Sequence, residues 1–403
     1  MMKNVILLTI DTLRKDVVGI YNKENNLTPF IDSLVNHTLI FTRFQSSGPY
    51  TQASFPGILT SSYYLEYGRD KKLSPRRLLI SEALQKSGIT TAAFHSNPYL
   101  SGFFGWNRGW DVFYDSMQDE VSDKIPYVKG DGINHKVDQW LSSYTKDDNY
   151  HPFFLWTHYM DVHEPYIPKM KYLKMVDSSI STTEQEMFDL FKNILLKRDI
   201  SDSKVVNLLY NLYRAGVRET DGYVKEFFNI LKQNHILENS IIIITTDHGD
   251  EFNEHQGLSP DGKMYSELVD SPFIIIDYQR EKKEVCHNLV SNIDISPTIL
   301  YLFGLSPEEK FEGHSLLPIE QYPKKGVFGE AIGKTGNHEK PTDLPVYYYR
   351  ENNTKIIHYQ EGNRWELYDL EKDPGEKYNL IDSHPKRDDL KNMLKPRINR
   401  WGK

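Results

Sequence analysis

The chain has one cysteine, Cys286, in 403 residues, so no internal disulfide can form and a reducing cytoplasm is the expected location. Long hydrophobic runs are missing too. Nothing approaches the roughly 20 apolar residues that span a bilayer. Val5–Ile10, the only apolar stretch near the start, is too short for a signal-peptide core and runs straight into Asp11 and Arg14. Membrane insertion is therefore not expected. Positive charge is in deficit: 48 Lys and Arg against 56 Asp and Glu give a net charge of −8, which argues against a nucleic-acid partner. A small anionic group can still be held locally by a metal. There are no Pro/Gly/Ser tracts, long like-charge runs or internal repeats, and 39% hydrophobic with 13% aromatic residues is an ordinary globular composition. The whole chain is expected to fold.

Single cores rarely grow past about 300 residues, so two unequal parts are expected, residues 1–320 and 321–403. In the first part, β-branched runs alternate with amphipathic segments, the pattern of an α/β layer architecture with a large, mostly parallel sheet flanked by helices. Val5–Ile10, Thr90–His95, Phe153–His158, Ile241–Thr246 and Pro272–Ile276 read as buried parallel strands, being continuous apolar runs with polar boundaries. Thr28–Asn36, Arg77–Ser87 and Leu208–Gln233 read as helices. The polar segment 170–205, with a short helix at Glu184–Lys197, reads as an insertion capping one side of the sheet. Beyond residue 320, Val346–Arg350, Lys355–Tyr359 and Trp365–Leu370 predict an antiparallel meander, followed by a terminal helix from Pro385.

Two strand ends carry acidic residues. Asp11 follows Val5–Ile10, and Asp247-His248-Gly249 follows Ile241–Thr246. In open parallel sheets ligands bind outside the carboxyl ends of the strands, so carboxylates from separate strands can converge on one divalent ion. Asp11 reads equally as a helix N-cap. Thr51, in GPYTQASFPGILT, either caps the helix after Gly48-Pro49 or presents its hydroxyl as a nucleophile activated by that ion.

These segments also resemble, in order, the blocks of the sulfatase-like family of the alkaline phosphatase superfamily. NVILLTIDTLRKD (Asn4–Asp16) is similar to the family's opening, followed by the TPxxD element at Thr28–Asp32. Thr51–Ser61 resembles the nucleophile segment, FFLWTHYMDVHEPY (Phe153–Tyr166) the strand ending in DxHxPY, and Ile241–His255 the TSDHGExFGEH block. Ile293–Gly304, Gly313–Leu316 and ELYDLEKDPGEKYNL (Glu366–Leu380) follow in the same order. The resemblance implies that Asp11, Thr51, Asp247 and His248 bind a divalent cation, with Thr51 also the nucleophile. It further implies that His163 contacts the transferred group or protonates the leaving oxygen, and that Asn97 hydrogen-bonds a nonbridging oxygen. His163 can instead be a capped turn residue before Pro165. Mn²⁺, Mg²⁺ or Ca²⁺ suits the donor set. Two-zinc relatives need a second set, to which His158, Asp161 and His163 would contribute; one ion is preferred because the DxHxPY element already accounts for those residues.

Departures from the family pattern bear on the substrate. True sulfatases convert a cysteine or serine to formylglycine, and the maturation machinery reads a following proline or alanine and an arginine. Here the positions are Thr51, Ala53 and Phe55, and threonine cannot give the aldehyde. Thr12 stands where many relatives have another metal-binding aspartate. Asp261 occupies the place of a substrate-binding lysine, with Lys263 two positions out of register and able to substitute for it. The resulting expectation is a cytoplasmic hydrolase or transferase acting on small anionic esters, phosphate mono- and diesters or phosphonates, through Thr51 and a covalent phosphothreonine. A sulfate-ester hydrolase using unmodified threonine and a non-catalytic scaffold are the alternatives. A homo-oligomer is compatible with the sequence but not specified by it.

Overall fold

The computed structural model describes residues 2–68, 72–146, 150–259, 262–280, 282–323, 325–333, 340 and 342–400. Asp261 lies outside them. Eight strands form one sheet in the order β4-β3-β5-β1-β6-β7-β2-β8. They are β1 (Asn4–Ile10), β2 (Thr38–Gln45), β3 (Thr90–His95), β4 (Val112–Tyr114), β5 (Phe153–Tyr159), β6 (Ser240–Thr245), β7 (Asp270–Asp277) and β8 (Glu284–Ser291). Helices accompany them as α1 (Pro29–Ser33), α2 (Thr51–Thr60), α3 (Ile80–Lys86), α4 (Gly130–Tyr144), α5 (Met170–Val176), α6 (Glu184–Leu190), α7 (Ser203–Gln233), α8 (Ser266–Val269) and α9 (Ile295–Leu302).

The central strand β1 is buried along its whole length, and its side chains alternate between two cores, as the two-residue period of a strand requires. Ile6, Leu8 and Ile10 join the core under α4 and α7, with Ile133, Val137, Leu212, Val224 and Phe227. Val5 and Leu7 join the opposite core, with Phe55 and Ile58 of α2, Leu84 of α3 and Ile299 of α9. Covering both faces explains why these strands read as continuous apolar runs.

One expected strand direction is corrected. Pro272–Ile276 belongs to β7, which pairs antiparallel with both β6 and β2. A parallel neighbour would need a crossover back to the amino end of the sheet. The chain between β6 and β7 instead stays at the carboxyl end, where it builds the Asp247 turn and α8 before β7 descends. Hydrophobic content cannot reveal this, because a strand buried on both faces looks the same in either direction.

The segment 170–205 contributes α5, α6 and a π-helical turn at Phe191–Leu195, with Leu173, Met187 and Leu195 buried in the core that includes α7. Among the described residues no helix is long and apolar enough to cross a membrane.

A second sheet has four antiparallel strands in the order β12-β11-β10-β9, comprising β9 (Gly326–Ile332), β10 (Pro345–Glu351), β11 (Thr354–Tyr359) and β12 (Arg364–Asp369). Its faces also alternate. Tyr347, Tyr349, Ile356 and Leu367 pack on Leu390 and Leu394 of α10 (Arg387–Ile398). Val346, Tyr348 and Ile357 pack with Tyr50, Ala53, Met264 and Tyr265 of the larger unit. The second sheet therefore presses on the loop that carries Thr51: the Tyr348 hydroxyl donates to the Ser46 carbonyl (2.7 Å), Glu330 N–H donates to Ser47 O (2.8 Å) and Ile332 N–H donates to the Tyr50 hydroxyl (2.9 Å). Gly329 is required in β9 because a Cβ there would lie 2.1 Å from the Tyr348 ring.

Candidate active site

The carboxyl ends of β1, β3, β5 and β6 open on one crevice, with the amino end of α2 facing them. Asp11 continues the alternation of Val5, Leu7 and Thr9, so its side chain emerges on the α2 side of the sheet. The turn that follows forces Thr12 to φ +55°, uncommon for a β-branched residue. That strain is held from both sides: Thr12 N–H donates to Asp247 Oδ1 (3.3 Å) and Thr12 O accepts from the Tyr213 hydroxyl (2.9 Å).

Asp247 and His248 are fixed by their backbone. The Asp247 carbonyl accepts from the hydroxyls of Ser54 (2.6 Å) and Ser46, one from α2 and one from the end of β2. Thr246 Oγ1 accepts from Leu13 N–H (3.1 Å) and donates to His248 O (2.7 Å), which ties the two strand ends together. Gly249 passes so close to Glu267 that a Cβ would sit 1.9 Å from its carbonyl oxygen. His248 Nδ1 donates to Gly249 O (2.7 Å), which turns Nε2 inward.

Nε2 of His248 lies 3.7 Å from Asp11 Oδ1, 3.4 Å from Asp247 Oδ2 and 3.4 Å from Thr51 Oγ1. Asp11, Asp247 and His248 are all buried, and each offers a ligand atom within 4.8 Å of the others. Among the described residues, Asp11 Oδ1 and Asp247 Oδ2 find no hydrogen-bond partner. Two such carboxylate oxygens converging beside an imidazole nitrogen and a hydroxyl fit a divalent cation. Electrostatics agree. Burial, then the charge of Asp11, pushes the Asp247 carboxyl up. Burial pushes Asp11 up as well, but His163 and His158 outweigh it and hold Asp11 well below the carboxylate range.

Asn97, at the end of β3, donates from Nδ2 to Asp11 Oδ2 (2.9 Å). His158, offered by the sequence only as part of a second metal set, places its Nε2 3.1 Å from the same Asp11 oxygen, with Nδ1 2.8 Å from Thr9 Oγ1. The available signal was its place as a buried histidine at the end of an apolar strand. Phe55, at the family's arginine position, packs edge-on against His158 with ring centroids 5.1 Å apart. Asp161 caps α4 through Gly130 N–H (2.8 Å), and burial raises its carboxyl to about 7. His163 is half-buried above Asp11, with Nδ1 on Glu164 O (2.9 Å). Burial pushes His163 down, but the carboxylates of Asp11 and Glu164 prevail and raise it, so its proton is held more tightly than usual.

Lys263 stands apart from this cluster. Its ammonium meets Glu251 at 2.8 and 3.1 Å and the His255 carbonyl at 2.8 Å. Glu251 is fully buried, and an unpaired buried carboxylate is costly. Lys263→Met is expected to lower unfolding stability by roughly 2–3 kcal/mol, read as a shifted urea midpoint. A raised KM with an unshifted midpoint would assign Lys263 to substrate binding instead.

Sequence comparisons agree with the fold. The family profile described as Sulfatase matches residues 3–305, and the profile described as N-sulphoglucosamine sulphohydrolase, C-terminal, matches residues 255–403. An arylsulfatase of Clostridium perfringens is 22% identical over 448 aligned positions, covering 95% of this chain and 91% of that protein. A solved structure of a protein in complex with its substrate D-glucosamine-2-N,6-O-disulfate superposes with a TM-score of 0.79 at 20% identity, covering 99% of this chain and 98% of that one. A phosphonate monoester hydrolase of Agrobacterium radiobacter superposes at 0.77 with 17% identity, covering 98% and 95%. Sulfatase-family proteins generally bind a divalent metal, and the Asp11–Asp247–His248 cluster lies where the strand ends converge. A profile match over most of the chain, on this fold, shows that the protein belongs to the sulfatase family and is a hydrolase acting on ester bonds.

Proposed function

We propose that this hydrolase acts on phosphorus esters, phosphate mono- and diesters or phosphonates, with Thr51 as an unmodified nucleophile. The carrying observation is the place of Thr51. It is the first residue of α2, its hydroxyl is 3.4 Å from His248 Nε2, and that nitrogen in turn lies 3.4 Å from Asp247 Oδ2 and 3.7 Å from Asp11 Oδ1. A threonine there cannot yield the aldehyde that a formylglycine mechanism needs. Phe55, buried against His158 and Trp106, fills the place of the arginine that maturation reads. Solved relatives of this fold include a phosphonate monoester hydrolase, which supports phosphorus chemistry on the scaffold.

A cation held by Asp11, Asp247 and His248 would supply Lewis acidity and lower the pKa of the Thr51 hydroxyl. The Thr51 alkoxide attacks phosphorus in line. The bond to the leaving oxygen breaks, and His163, whose proton is held by Asp11 and Glu164, donates that proton to the departing alcohol. Water then attacks the phosphothreonine with neutral His163 accepting its proton, and the Thr51 oxygen leaves. Asn97 keeps Asp11 oriented throughout.

The test is hydrolysis of matched 4-nitrophenyl phosphate, phosphodiester, phosphonate and sulfate esters with Mn²⁺, Mg²⁺, Ca²⁺ or Zn²⁺. Release from phosphorus esters is expected to exceed release from the sulfate by at least about tenfold in kcat/KM, a difference of roughly 1.4 kcal/mol. Preferential sulfate release would establish the unmodified-threonine sulfohydrolase. Silence on all four esters would favour the scaffold.

A further inference from the structure

The chain from Asn97 to Trp106 leaves the active site at one end and ends behind it at the other, on Phe55, whose ring packs on His158. Asn97 grips Asp11 with Nδ2, and its Oδ1 accepts from Tyr99 N–H at 3.0 Å. Trp106 is buried against Phe55, with ring centroids 6.2 Å apart. Phe55 lies four residues along α2 from Thr51, a separation of roughly 6 Å at 1.5 Å per residue. Between these anchors the backbone is pinned: Gly102 N–H donates to Asp115 Oδ2 (2.9 Å) and Phe104 O accepts from Leu73 N–H (2.8 Å). Leu100 is fully buried.

On this fixed loop two aromatic rings face water. Phe103 is 72% exposed and Tyr99 38%. Phe104 bridges them, with centroids 5.0 Å from Phe103 and 6.4 Å from Tyr99. The Lys72 ammonium lies 5.0 Å from the Phe103 ring. Aromatic surface held in water by a rigid backbone is unfavourable on its own and is a ready stacking platform. Its distance from the reacting atoms is bounded. Tyr99 is two residues from Asn97, at most about 7 Å of extended chain, and Asn97 itself holds Asp11, so the Tyr99 end of the lip stands within the reach of a ring-bearing substrate seated at Thr51.

We propose that Tyr99 and Phe103 form a lip that recognises the alcohol portion of the ester by stacking on the flat face of a ring. This inference rests on the ester-hydrolase reading of the Thr51 site and names the part of the substrate which that site leaves open. An aryl ring and a pyranose both offer such a face. A short acyclic alcohol offers none.

The experiment compares the metal-loaded wild type with a Tyr99→Ala/Phe103→Ala double variant on 4-nitrophenyl, hexopyranose-6 and ethyl esters of the acid that the wild type hydrolyses best. The expected result is a KM raised about tenfold or more for at least one ring-bearing ester, with kcat and the ethyl ester unchanged and recovery in Tyr99→Phe/Phe103→Trp. An effect confined to the 4-nitrophenyl ester assigns an aryl alcohol, and one confined to the hexopyranose ester assigns a sugar. Saturation-transfer NMR with phenol and methyl glucopyranoside reads the lip without turnover. Transfer to one of these in the wild type and its loss in the double variant are expected even if no ester is cleaved, so failure of the esterase reading stays separate. No transfer from either ring to the wild type, or KM values unchanged within twofold, would overturn the lip.

Discussion

Thr51→Ala is expected to lower kcat/KM by at least about 10³-fold, roughly 4 kcal/mol of barrier at 1.36 kcal/mol per decade, while the bound metal stays at wild-type stoichiometry. The substitution removes one oxygen from a site whose remaining donors are fixed independently. Asp247 and His248 are held by Ser46, Ser54 and Gly249, and Asp11 by Asn97 and His158. A cation held there would therefore keep two carboxylates and an imidazole. What disappears is the group proposed to form the covalent bond to phosphorus. Thr51→Ser, which restores a hydroxyl at the first residue of α2, should recover most of the lost activity. Near-normal turnover by Thr51→Ala would remove Thr51 from the reaction, and a water molecule would then have to attack directly.

Asp247→Asn gives the second large effect, which has opposite signs with and without metal. With metal, loss of a carboxylate ligand should weaken binding by about 100-fold or more, close to 2.7 kcal/mol, and cancel the rise in melting temperature that the ion gives the wild type. Without metal the sign reverses. Burial and the neighbouring Asp11 raise the folded-state Asp247 carboxyl above its unfolded value. The folded protein then holds a proton that the unfolded chain releases, so this group's contribution falls as pH rises through that raised value. An amide has no such penalty. In chelator the variant should melt at or above the wild type at pH 8, and the difference should shrink toward the ordinary carboxylate range near pH 4. Unchanged metal stoichiometry in the variant would remove Asp247 from the ligand set.

Much of this architecture was legible because its signals are local. Val5–Ile10 and Ile241–Thr246 are buried on both faces, and a strand in that environment has to be continuously apolar, so its end marks where the first polar side chain meets the crevice. Asp11, Asp247 and His248 could therefore be found without knowing how the strands were ordered. Neither β2, β8 nor α4 was anticipated, and two further elements have sequences that answer to a partner. β9 carries two glycines among its seven residues, GVFGEAI, and does not read as a strand until Tyr348 is seen to need the space at Gly329. β4 has only three residues. The direction of β7 was misread because burial on both faces carries no information about polarity of the chain.

The sequence by itself determined the chemistry available: a threonine where an aldehyde precursor is usual, two acidic strand ends, and a phenylalanine in an arginine's place. These are identities of side chains, and no folding can change them. Only the tertiary structure decided which of them meet. It brought His158 onto Asp11 across 147 positions of chain, gave Lys263 to Glu251 rather than to the cluster at Thr51, and set the second sheet against the loop that carries Thr51 through Tyr50 and Tyr348. Contacts between residues so far apart depend on strand order and on the few ångströms by which one buried group approaches another, and a linear pattern of hydrophobic and polar residues does not encode those distances.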